Sequence, residues 1–342
     1  MPSIKRRILS TIMLSVVLLS LSPTSSALIL PANTFPIEGV YSEEGGTTIL
    51  MEEYTATWCD VCKLTDPALK EISEANEDRI ALIALHPLDG TDSVANIASA
   101  QRISQTALSE SIMTPSFLFD SELEREGALE LIDIQSELLE AENNRRSHSK
   151  LKLNVSITNT IDISLELNGE YNLSDTVLTI MITENNVKGN SALSLDDVET
   201  YDRVLKGLFT ANLTIIESSD DSNLVILPED QHTFAQYWGE QIDPMMSIKR
   251  MNGKITLEIS FQAPNTWNMG ELGIIGVHEK TNIEGNRIIS TLGVVQILQF
   301  DLNQKEDSSV WIMFMALIFS TGFALAYIDK YTKKKDVGRT NP

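Results

Sequence analysis

The chain holds two cysteines, and both fall in one short stretch, Tyr54-Thr55-Ala56-Thr57-Trp58-Cys59-Asp60-Val61-Cys62-Lys63. A disulfide between Cys59 and Cys62 closes almost no loop, so it does little to restrict the unfolded chain. A secreted chain that uses cysteine for stability spreads several pairs along its length. Placing both in a single C-x-x-C points instead to chemistry. Two kinds fit such a pair: reversible thiol–disulfide exchange, in which a thiolate attacks a disulfide sulfur, and half of a zinc site. Zinc needs three or four protein ligands, and the four histidines, His86, His148, His232 and His278, show no ligand-type spacing. Exchange is the expectation, with no metal and no dissociable cofactor. The redox group is then the Cys59–Cys62 disulfide itself.

Such a pair has to be held in place. Residues 48–55 form an apolar, β-prone run before it. Residues 65–75 follow with helical spacing at Leu64, Ala68, Leu69 and Ile72. Cys59 is therefore expected at a helix N-terminus, where backbone N–H groups and the helix dipole favour a thiolate. Asp60 beside it acts in the opposite sense. Further along, residues 80–85 are wholly apolar, 94–108 read as a helix, 115–119 as a strand and 127–143 as an amphipathic helix. Strands alternating with helices predict an α/β layer fold.

Several residues in register with the pair carry a family resemblance. Trp58-Cys59-x-x-Cys62-Lys63 resembles the active-site signature of the thioredoxin family, and Pro67 matches the proline in that family's active-site helix. Glu53, six residues before Cys59, falls where thioredoxin carries a buried acid. Met113-Thr114-Pro115 before a strand matches the cis-proline loop, and Gly127-Ala128-Leu129 opens a last helix. The resemblance covers about residues 35–146, a length normal for one domain. It implies a thioredoxin-like α/β domain in which Cys59 attacks, Cys62 resolves the mixed disulfide and Trp58 shields the pair. It also implies that Thr114 and Pro115 present backbone to an extended substrate, and that Glu53 relays a proton to or from Cys62. Asp60 and Val61 replace the family's Gly-Pro, and no histidine lies between the cysteines, which argues against a powerful oxidase. Glu53 is one methylene longer than the family's aspartate. The domain order is similar to that of the Omp28-related group of secreted or surface proteins.

From Leu151 the period changes. Residues 151–157, 161–167, 177–182, 211–216, 255–261, 274–278 and 294–302 alternate apolar and polar positions, and turn residues separate them. Seven short strands predict an all-β sandwich, joined to the first domain by a polar linker over 143–150. Asn154, Asn172 and Asn212 each head an N-x-S/T triplet, the acceptor pattern for glycosylation.

The ends complete the reading. Lys5, Arg6 and Arg7, an apolar stretch and Ser25-Ser26-Ala27 predict a signal peptide over 1–27, with an uncleaved anchor helix as the alternative. Residues 310–328 are apolar and uncharged, flanked by Trp311 and Tyr327, and basic residues follow. This predicts one transmembrane helix with a cytoplasmic tail over 329–342. The domains expected between are 28–146, thioredoxin-like, and 147–305, the β-sandwich. A net charge of −22 repels phosphate backbones and excludes nucleic acid as a partner. The whole reads as a membrane-anchored, extracytoplasmic thiol–disulfide oxidoreductase acting on secreted or surface proteins that carry thiols or disulfides. The span has no cysteine, so a separate redox partner is required. The alternative is a non-enzymatic surface binding protein.

Overall fold

Runs of β-branched and aliphatic residues become strands through most of this chain. The computed structural model describes residues 38–106, 113–145, 148–191, 194–217, 224–226, 232–234, 244–282 and 287–298. Strands β1 (Gly39–Gly45) and β2 (Ile49–Tyr54) lead into helix α1 (Cys62–Ala75) and strand β3 (Ile80–Leu85). Helix α2 (Ile97–Thr106), strands β4 (Ser116–Phe119) and β5 (Leu123–Glu126) and helix α3 (Leu131–Asn144) follow. The rest is almost entirely strand: β6 (Lys150–Ile157), β7 (Ile161–Asn168), β8 (Thr176–Glu184), β9 (Val187–Ser191), β10 (Ser194–Tyr201) and β11 (Val204–Asn212). A one-turn helix α4 (Thr214–Glu217) precedes β12 (Leu224–Ile226), β13 (His232–Phe234), β14 (Met245–Met251), β15 (Lys254–Phe261), β16 (Leu272–Thr281) and β17 (Ile288–Leu298).

The strands form two large sheets. One has six strands in the order β1-β6-β7-β15-β14-β12. The other has nine, running β17-β16-β8-β11-β3-β2-β4-β5, with β13 also on β11. One face of the nine-stranded sheet is covered by α2, packed over Leu50, Ile83, Met181, Leu205 and Val277. The other face carries α1 and α3 at one end, against Ile49, Met51, Ile80 and Phe117. At its other end it meets the six-stranded sheet, where Leu153, Ile163 and Leu257 pack on Ile180, Phe209 and Ile274. Strands with cover on both faces, β2, β3 and β8, are buried at every residue, whereas β6 and β7 alternate because only one face is covered.

Helix α1 buries Cys62, Thr65, Leu69 and Ile72, one stripe at helical spacing. Pro67 lies inside it and removes the donor that would reach the Lys63 carbonyl. Helix α3 opens on a capping box between Glu130 and Asp133.

The expected fold class requires correction. The described residues are predominantly β, with three helices longer than one turn, and they do not separate into an α/β domain and a β-sandwich. Strand β3 pairs in parallel with β11 at Ala84 and Val204, so one sheet runs through both halves. Strand β1, from the expected first domain, pairs along its whole length with β6. The physical reason is edge satisfaction: β3 and β6 both had an unpaired edge that the other half of the chain covers. Arg145, in the expected linker, is half-buried and binds Asp120 and the carbonyls of Gly46 and Thr48.

The expected localisation is corrected in the same way. No helix among the described residues is long and apolar enough to cross a membrane, so a single-pass membrane topology has no support in the structure. The stretches expected as signal peptide, span and tail lie outside the described residues. Residues 211–216 also differ from expectation: β11 stops at Asn212, and the apolar pair Ile215-Ile216 belongs to α4, with Ile216 buried in the core between the sheets.

Candidate functional site

Cys59 and Cys62 form a disulfide at the point where the β2 loop enters α1. Both sulfurs are sheltered, with Cys59 5% and Cys62 1% exposed. The Cys62 N–H donates to Cys59 Sγ over 3.1 Å. No side chain caps α1, so this sulfur occupies the place of a capping oxygen. A thiolate at Cys59 would keep that bond and gain from the helix dipole. Trp58, 38% exposed, and the exposed Val61 and Leu64 form an apolar rim around the pair.

A second loop, which follows β3, fastens the first. Asp89 Oδ2 accepts the Trp58 indole N–H at 2.7 Å, and Asp89 Oδ1 accepts the N–H groups of Thr91 and Asp92. Asp92 Oδ2 accepts the Thr57 N–H at 3.2 Å and meets His86 Nδ1 at 2.8 Å. The ring of His86 is fully buried and stands edge-on to Tyr201.

Two carboxyls stand on the elements that flank the disulfide, Glu53 on β2 and Asp66 on α1. Glu53, on β2, is 4% exposed, and burial followed by the charge and hydrogen bond of Asp66 pushes it well above the usual carboxylate range. Asp66 stands one helical turn after Cys62. Burial raises it to about 6, against the lowering effect of the hydrogen bond with Glu53 and of His86. The two directions together give a protonated Glu53 donating to an ionised Asp66, two carboxyls sharing one proton. Glu53 Oε1, Asp66 Oδ1 and His86 Nε2 are buried and accept or donate no hydrogen bond within the protein. All three residues line a cleft of about 700 Å³ between α1 and the β9–β10 hairpin. Lys63 binds Glu199 at 3.0 Å and Lys70 binds Asp202 at 2.8 Å, two ion pairs that join the helix to the hairpin.

Thr114–Pro115 is a cis peptide. Tyr54 pairs with Ser116, so Pro115 lies at the end of the sheet from which the Cys59 loop leaves. The structure thus gathers Glu53, Trp58, Cys59, Cys62, Thr114 and Pro115 at one sheet end. The glycosylation candidates lie apart, on the β-rich half. Asn172 is exposed, Asn154 sits within β6 with its side chain accepting from Ser42, and Asn212 ends β11. Sequence reading missed Asp66, His86, Asp89, Asp92 and Tyr201. Asp66 had a signal, its spacing of four from Cys62 on one helix face. His86 had another, its place directly after a buried strand parallel to β2.

No family model matches the sequence, and no curated protein matches it. Solved structures do. HBP35 of Porphyromonas gingivalis aligns with a TM-score of 0.51 and 12% identity, over 77% of this chain and 78% of that one. A protein from Agrobacterium tumefaciens aligns with a TM-score of 0.45 and 11% identity, over 77% of this chain and 98% of that one. The first likeness is one of fold.

Proposed function

We propose that the chain is a thiol–disulfide oxidoreductase that exchanges electron pairs with protein dithiols and disulfides through Cys59 and Cys62. One observation carries this reading. The chain's two cysteines form a disulfide at a helix N-terminus, with the Cys59 sulfur already accepting the Cys62 N–H. The resemblance of Trp58-Cys59-x-x-Cys62, Pro67 and Thr114-Pro115 to the thioredoxin family supports it.

In the reducing direction the Cys59 thiolate attacks a substrate disulfide, forming a mixed disulfide and releasing one substrate thiolate. Cys62 loses its proton and attacks Cys59 Sγ, restoring the intramolecular disulfide and releasing the second thiolate. Two electrons pass to the substrate, and a dithiol partner returns them to the pair. The oxidising direction is the same sequence reversed, with a substrate dithiol as the reductant. Trp58 and Val61 offer an apolar landing surface, and the backbone at Thr114 offers hydrogen bonds to an extended segment.

The test equilibrates the full chain against defined dithiol–disulfide buffers and then measures turnover of a model protein disulfide. A reversible two-electron couple is expected, with turnover lost in Cys59→Ser. Full turnover in that variant, or no exchangeable couple, would overturn the reading and favour a binding role.

A further inference from the structure

The exchange reading leaves a proton to be moved. Cys62 must lose a proton to attack and, in the reverse direction, leaves as a thiolate that takes one up, yet it is 1% exposed. Glu53, the acid that the thioredoxin resemblance assigns to proton exchange with Cys62, is almost as enclosed. Asp66 differs from both. It stands one turn after Cys62 on the same face of α1, shares a hydrogen bond with Glu53, and is only partly buried where it borders the cleft.

We propose that Asp66 is the proton outlet of the disulfide site, the carboxyl through which the Cys62 proton passes between buried Glu53 and water in the cleft. The inference rests on the exchange reading and assigns a role to a residue outside the C-x-x-C motif. Asp66 acts through Glu53, not on a sulfur. Asp66 Oδ1 and Glu53 Oε1 are both buried with no hydrogen-bond partner within the protein, and both residues line the same cleft. The surroundings define the charge that Asp66 meets. Glu53 faces it from β2 and His86 from the loop after β3, while Glu199 and Asp202 act on it from the hairpin side. The two hairpin acids are engaged by Lys63 and Lys70 of α1, which limits how far they oppose ionisation of Asp66. His86 is held through Nδ1 by Asp92, and its Nε2 is a further buried atom with no hydrogen-bond partner within the protein, on a residue that lines the same cleft.

The proton accounting is explicit. Before resolution, the carboxyl pair carries one proton, on Glu53. Asp66 takes up that proton and passes it to water, and the freed Glu53 carboxylate takes the Cys62 proton, so the pair again carries one. Cys62 then attacks Cys59 Sγ, the bond from Cys59 to substrate sulfur breaks, and a substrate thiolate leaves with the electron pair.

The test uses the full chain, reduced, freed of reductant and mixed with 5,5′-dithiobis(2-nitrobenzoate). Attack by Cys59 releases a first aryl thiolate. Attack of Cys62 on the resulting mixed disulfide releases a second, and closes the Cys59–Cys62 bond. In the wild type the second phase is expected to accelerate as pH rises through about 6, where Asp66 ionises. In Asp66→Asn the first phase is unchanged, while the second slows at least about tenfold and loses that inflection. Glu53→Gln is expected to do the same. A second phase with the wild-type rate, or slowed with its pH profile intact, would overturn the role of Asp66. So would equal slowing of both phases. Absence of a first phase in the wild type, or its persistence in Cys59→Ser, would instead sink the exchange reading itself.

Discussion

The Glu53–Asp66 carboxyl pair is a cost to the fold, and removing one charge should show how large. An acid raised by burial holds its proton to higher pH in the folded state than in the unfolded state. Well below the ordinary 3.8 both states are protonated at Asp66, and the side chain is neutral toward stability. Between 4 and 6 the unfolded chain ionises first, so folding stability falls as pH rises. Above 6 the full cost is present. Asp66 moves from the ordinary 3.8 to about 6, which corresponds to about 3 kcal/mol. Screening by cleft water halves that to about 1.5 kcal/mol. Asp66→Asn keeps the shape and an acceptor for the Glu53 proton but cannot ionise. It should therefore be more stable than wild type at pH 7 by about 1.5–3 kcal/mol, with the difference shrinking to well under about 1 kcal/mol at pH 4. Urea unfolding of both oxidised proteins at intervals from pH 4 to 8 measures this, and taking differences cancels the carboxyls that Asp66 does not touch, while Glu53, raised in part by Asp66, shares in the change. A variant that is less stable at pH 7, or whose gain does not change with pH, would refute the argument. The outcome bears on the kinetics too, since a variant that folds better cannot lose its resolving step through unfolding.

Two further predictions concern how the site is built into the fold. Arg102, fully buried on α2, binds Glu52 of β2 and Glu279 of β16, and Arg102→Met would leave two buried carboxylates without a counter-charge. Thermal and urea unfolding at pH 7 should show a loss of about 3–5 kcal/mol; a loss under about 1 kcal/mol would mean the carboxyls are neutral in the fold. Gly189 on β9 sits so close to the site that a Cβ there would meet Tyr201 and Val94 side chains at 2.8 Å. Gly189→Ala should lift the hairpin, cost about 1–3 kcal/mol and raise amide exchange at 187–201; exchange at the wild-type rate would show that the hairpin does not depend on that contact.

Much of the site was readable because its spacing is local. Cys59, Cys62 and Trp58 belong to one loop, and the alternation of residues 151–157 or 255–261 fixes which side chains face a core. Pairing between distant strands was not readable. The period of β3 says that both faces are buried, and nothing in it says that its free edge meets Val204 more than a hundred residues later. The same gap hid Tyr201, whose place beside His86 depends on that pairing. Glu52 and Glu53 show the limit clearly. Adjacent acids in an apolar strand look alike, yet alternation sends Glu52 to Arg102 and Glu53 to Asp66, one toward a buried ion pair and one toward a shared proton. Arg102, lone in a helix, gave no sign of either carboxylate it binds.

That divergence explains why one sheet has to serve both halves of the chain. A buried acid works as a proton carrier only if its charge is left uncompensated enough to keep its proton at neutral pH. Uncompensated acids destabilise the fold, so the surrounding structure must supply the deficit. On the opposite face of the same strand, Glu52 has its charge matched by Arg102, and Glu279 and Thr179 from the β-rich half complete that network. On the cleft side, burial and the charges of Glu199 and Asp202 raise Asp66, and the same two acids bind Lys63 and Lys70 of α1. The β-rich half is therefore part of what sets the protonation of the disulfide site. Its contribution comes through the edge of β3, the buried arginine and the two helix–hairpin ion pairs, with no side chain from it bonded to either sulfur among the described residues.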